Sequence, residues 1–145
     1  MPTSETTARG DTHPVHAILL SFPVALFSSA LVTDIAYLRT AESQWTNFSS
    51  WLISGALLFG GLVLAWALIA LVLDLQGPGR RRNMIYAGVL TVMWILGLIN
   101  VFKHSQDGWS SVGAFGLVLS ILCTLLALGA GVIAHSSFWT REVAR

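Results

Sequence analysis

The chain has 145 residues, of which 54% are hydrophobic and only 10% charged, with eight Lys and Arg against seven Asp and Glu. Soluble domains carry about 25% charged residues, so this composition excludes an ordinary water-soluble fold, and the near-neutral balance supplies no basic field for nucleic acid. A single cysteine, Cys123, excludes a disulfide framework or a thiol cluster for zinc or iron–sulfur; inside its apolar run it is read as a packing residue.

Residues 1–12, MPTSETTARGDT, are polar and without period and read as a mobile tail. Four apolar runs follow, each about as long as the 20 residues that a helix needs to cross a bilayer core. They lie at about 15–38, 48–73, 84–102 and 112–134, with 139–145 as a short C-terminal tail. Arg9 before an apolar run and the small residues Ser28, Ser29 and Ala30 resemble a cleaved leader. The run continues past Ala30 to Leu38 and is preceded by Glu5 and Asp11, so it is read as a span. The connections RTAESQWTN, DLQGPGRRRN and KHSQDGWSS are short, which makes neighbours antiparallel. The expected fold is an all-α integral membrane four-helix bundle of up-down topology, one domain over residues 13–138.

Basic residues orient it. Arg9, Arg80, Arg81, Arg82, Arg141 and Arg145 gather on one side and only Arg39 and Lys103 on the other, so both termini are expected in the cytoplasm of a bacterial inner membrane. Arg80, Arg81 and Arg82 are also expected to meet anionic lipid headgroups. Trp45, Trp51, Trp109 and Trp139 fall near span ends, while Trp66 and Trp94 lie deeper and are read as packing residues.

Helices in lipid associate where small side chains let backbones approach. The first span offers Ala17, Ser21, Ala25, Ser29 and Thr33; the second Ala56, Gly60, Gly61 and Ala65; the fourth Gly116, Ser120, Thr124, Ala127 and Gly131. These stripes are expected to pack within the bundle, with a homo-oligomer or membrane partner as the alternative use. Pro14 suits a first helical turn with His13 or Thr12 as cap; Pro23, two turns inside, is expected to kink the helix near Leu19.

Ionisable residues in membrane spans are functional candidates when they face the interior. At the inner end stand His13, His16, Asp74 and His135, a candidate polar or ligand site; at the outer end stand Asp34, Asn100, Lys103, His104 and Asp107. Asp34 is expected to pair with Lys103 or to cap the neighbour of the third helix, and Asp34, Lys103 and His104 form the candidate outer site. His16 and Asp34 share a helix face but stand about 27 Å apart along the axis. An interfacial histidine bonded to water, lipid phosphate or a helix end is the ordinary reading. No motif for a catalytic centre or a metal cage is present, so no cofactor is expected; the one pair at a depth suited to haem b or a metal is His16 with His135.

HPVHAILLSFPVAL, followed by Asp34 on the same helix, resembles the opening signature of the bacterial membrane family known as domain of unknown function 2231. The resemblance implies a short four-span protein over residues 13–135, with Asp74 ending the second span and His135 the fourth. It imports no catalytic residue, although some members are joined to redox modules. Two positions depart from the family pattern: Ala17 stands where proline often follows the second histidine, and Arg82-Asn83-Met84 where a histidine tends to open the third span. The function expected is a structural or accessory subunit without catalysis; the alternatives are a redox or metal protein using the inner histidines, and a small proton-coupled carrier with Asp34 as its titrating group.

Overall fold

A computed structural model describes residues 13–73, 79–105 and 112–136. Expectations for the two tails, Asp74, Asp107, Trp109 and Trp139 lie outside these residues. The described chain forms four helices: α1 (Pro14–Thr40), α2 (Ser43–Leu73), α3 (Arg80–His104) and α4 (Ala114–His135). All four are long and apolar enough to cross a membrane. Each packs on its two neighbours in cyclic order, α1 on α2, α2 on α3, α3 on α4 and α4 back on α1, giving a four-helix bundle.

α1 opens as its sequence dictates. Pro14 occupies the first turn, where its missing N–H is not needed, and the His13 ring Nδ1 caps the helix by accepting from the Val15 N–H at 3.3 Å. The nine-residue polar connection expected after the first span shrinks to Ala41 and Glu42, because α1 runs on to Thr40 and α2 starts at Ser43. Ala41 makes this reversal in the left-handed region at φ 56°, its N–H donating to Tyr37 O at 2.8 Å. Hydroxyls in the polar segment support the helices: Thr40 Oγ1 donates to Ala36 O and Thr46 Oγ1 to Ser43 O. A side chain in this conformation costs about 1 kcal/mol, so Ala41→Gly is expected to raise stability by roughly 0.5–1 kcal/mol, read as a higher midpoint of thermal unfolding in detergent.

The core runs along one face of each helix. On α1 it is His16, Leu20, Pro23, Phe27, Ala30 and Asp34, spaced alternately by four and three. Pro23 sits inside α1 as a packing residue: a methyl group added at Gly60 of α2 would lie 3.7 Å from its Cβ. The small-residue stripe expected to pack this helix does not do so. Ser21, Ala25 and Ser29 are exposed, and Ala17 and Thr33 only partly covered. Steps of four residues advance about 40° each around a helix of 3.6 residues per turn, so the four steps from Ala17 to Thr33 cannot hold one face. The α4 set mixes steps of four and three, and Gly116, Ser120, Thr124 and Ala127 are buried. Close approach between helices comes instead from Gly60 and Gly97, with Leu57 and Phe27 seated on the latter. Trp94 packs as expected, its Nε1 donating to the Leu57 carbonyl at 3.1 Å.

Candidate functional site

Two polar clusters stand at opposite ends of the bundle. The outer one gathers on Asp34, which is 0% exposed. Its Oδ1 receives Ser49 Oγ at 2.5 Å and lies 2.8 Å from His104 Nε2; its Oδ2 receives Ser120 Oγ at 2.5 Å. One carboxylate from α1 therefore holds a group from each of α2, α3 and α4. The His104 ring is fixed from its other side, Nδ1 donating to Asn100 O at 2.9 Å, and Asn100 Nδ2 donates to Ser120 Oγ at 2.9 Å. Thr124, one turn below Ser120, donates to Phe27 O across the α1–α4 contact.

The proton count follows from the partners. Ser49 and Ser120 each place a donor on the carboxylate, and both ring nitrogens of His104 face acceptors. The Asp34–His104 pair therefore shares one proton, as imidazolium with carboxylate or as imidazole with carboxylic acid, and either form is neutral overall. Neutrality is what a low-dielectric interior demands, since an unpaired buried charge is several times costlier than a paired one. One acceptor remains unmatched: Asn100 Oδ1 is buried and without a hydrogen-bond partner.

Asp34 was expected to pair with Lys103; its oxygens are instead taken by His104, Ser49 and Ser120. Lys103 is only partly buried, because the residues on either side of a helical position point to different faces. His104, four residues after Asn100, shares the inward face with it. Ser49 and Ser120 escaped the sequence reading as site residues, yet depth marks them. Ser49 lies 49 − 43 = 6 residues from the start of α2, Ser120 lies 120 − 114 = 6 from the start of α4, and Asp34 lies 40 − 34 = 6 from the end of α1. Antiparallel helices bring such positions to one level.

The inner end is organised differently. His16 is buried to 7% exposure, with its Nε2 at 3.1 Å from the Tyr86 hydroxyl. Trp66 stands beside it, its ring centroid 5.8 Å from that of His16 and 5.6 Å from that of His13. These four aromatic rings, with Arg82 and Asn83, line a crevice of about 140 Å³, room for several waters. Trp66, expected to be interior packing, is 39% exposed and forms the crevice wall. His135 is exposed, its Nδ1 donating to Gly131 O at 2.9 Å, and it lines a separate groove between α1 and α4. The His16 ring is thus bonded through Nε2 to Tyr86, and the His135 ring through Nδ1 to its own helix. Among the described residues, no three His, Cys, Asp or Glu side chains lie close enough to hold a metal ion. Cys123 is buried at the α3–α4 contact, its Sγ 4.0 Å from Met93 O.

No curated protein and no solved structure matches the chain. The family model described as Predicted membrane protein (DUF2231) matches residues 12–144, a match that spans both polar clusters and all four helices, and the chain belongs to that family.

Proposed function

We infer that the protein is a non-catalytic accessory subunit of the bacterial inner membrane, with both termini in the cytoplasm. The observation that carries this is the Asp34 junction. The groups best suited to proton or nucleophilic chemistry are sealed from solvent and bonded to one another, so they lock four helices into one unit. An accessory role predicts that, in membranes solubilised with a mild detergent, the protein migrates on a native gel within a larger complex. Migration at the mass of a lone chain in its micelle, from membranes of the cells that make it, would overturn the role. Orientation is tested separately by replacing Cys123 and placing single cysteines at positions 80 to 82. An impermeant thiol reagent applied to intact cells should leave them unlabelled, and labelling would reverse the topology.

No haem belongs to this reading. Protein made with haem and metals in supply is expected to lack a Soret band, and a band lost in His16→Ala would restore the redox alternative. A second reading, a proton-coupled carrier, draws on the buried Asp34–His104 pair and the unmatched Asn100 Oδ1 beside it. It predicts proton entry into proteoliposomes under an imposed pH gradient, abolished in Asp34→Asn. Flux equal to that of empty vesicles removes it.

A further inference from the structure

At the inner end the crevice shares part of its wall with a second concavity. An apolar furrow of about 510 Å³ runs down the outer face of α2 between Leu62 and Leu73, and Trp66 and Ala70 belong to both. From Leu62 to Leu73 is about 16 Å along a helix, roughly half of a 30 Å hydrocarbon core, which is the depth of one leaflet. Trp66 and Ala70 stand partway along that length, so the polar crevice lies beside the apolar furrow near the inner end of the bundle, where a lipid headgroup meets its chains.

Among the described residues the head end has one sign of charge. Arg82 lines it, and no carboxylate does among the described residues. α1 and α3 both begin at this end, so the positive poles of two helices face it. Neither helix has an acidic residue in its first turn, and Gly79 gives α3 no side-chain cap. Asn83 and His13 add hydrogen-bonding groups to the same wall. Such a lining fits a phosphate oxygen, and the tryptophan at the junction suits the boundary between headgroup and chain.

We propose that this composite cleft is a binding site for one anionic phospholipid, its phosphate held at Arg82, His13 and Asn83 and one acyl chain laid along the α2 furrow. The site differs from loose attraction to a basic loop in having a fixed stoichiometry and a chain requirement. It is independent of the accessory role, which could fail without affecting it.

Native mass spectrometry of the full chain tests it, with phosphatidylglycerol, phosphatidylcholine or inorganic phosphate added to the detergent. One phosphatidylglycerol per chain is expected to survive activation that strips phosphatidylcholine. Arg82→Gln is expected to weaken that adduct about tenfold, in keeping with loss of one charge-assisted hydrogen bond. Ala65→Phe, an exposed position in the furrow, is expected to weaken it as well without touching the core. Arg39→Gln, at the opposite end, should leave it unchanged; circular dichroism confirms that each variant is folded. Equal retention of the two lipids, or an adduct indifferent to both Arg82→Gln and Ala65→Phe in folded protein, would overturn the proposal. Binding of inorganic phosphate that depends on Arg82, with no lipid retained, would overturn it too and make the ligand a soluble phosphate.

Discussion

Asp34→Ala is expected to destabilise the bundle by about 3–5 kcal/mol, more than any other single polar substitution. Removing the carboxylate leaves the His104 Nε2 and the Ser49 and Ser120 hydroxyls without their shared acceptor in a site closed to water. Asp34→Asn retains one acceptor oxygen and should cost less, about 1–3 kcal/mol, because only one bond of the ring must be given up. The measurement is the unfolding midpoint in detergent, and a double-mutant cycle with His104→Ala isolates the coupling. Once the histidine is gone, loss of the carboxylate strands fewer groups, so the double variant should be clearly more stable than the sum of the singles. Additivity to within about 0.5 kcal/mol would show that the pair does not hold the helices together. Replacing both by leucine should be close to neutral, since the stabilisation lost is chiefly that of avoiding an orphaned partner.

Gly97→Val is expected to cost about 1–3 kcal/mol for a reason of shape alone. A Cβ at Gly97 would fall 2.9 Å from Leu57 Cδ2 and 3.0 Å from Phe27 Cζ, so two core side chains must shift at once. Gly97→Ala should cost less, because both obstructing atoms are side-chain tips that can give way. Gly88 is the natural control. It lies in the same helix with nothing within 4 Å of a Cβ, and Gly88→Ala is expected to stabilise by roughly 0.5–1 kcal/mol through helix propensity. If Gly97→Val and Gly88→Ala moved the thermal midpoint equally and in one direction, the contact at Gly97 would not be a determinant of packing.

The two polar clusters were legible in the sequence to different degrees. His104 and Asp34 could be assigned to the same end by counting span lengths, but Lys103 was an equally available partner, and only its position on the neighbouring face of α3 removed it. Ser49 and Ser120 read as ordinary small residues, because a hydroxyl in a span can always bond to its own helix. Their equal depth was a usable sign, yet it needed the end of α1 and the start of α2 to within a residue or two. That boundary was the one misplaced, since the segment between Leu38 and Phe48 is polar enough to look like a loop and is nearly all helix. At the inner end His13, His16 and Trp66 gave no hint of convergence, as fifty residues separate the last two and no periodicity links helices to one another.

The sequence by itself determined the number of spans, their approximate limits, the short connections that make neighbours antiparallel, and the family. These follow from one constraint, that about 20 consecutive apolar residues must form a helix to cross a lipid core without unpaired backbone groups. Tertiary structure alone decided which face of each helix turns inward. In water an amphipathic stripe would announce that face, but lipid is as apolar as a protein core, so a leucine toward lipid and a leucine toward the bundle look alike in sequence. Hence Ser21, Ala25 and Ser29 face outward while Leu20, Phe27 and Asp34 face inward, and the carboxylate meets its three partners. What selects that rotation is the need to bury Asp34 and His104 together, where each satisfies the other, together with the close approach that Gly60 and Gly97 permit.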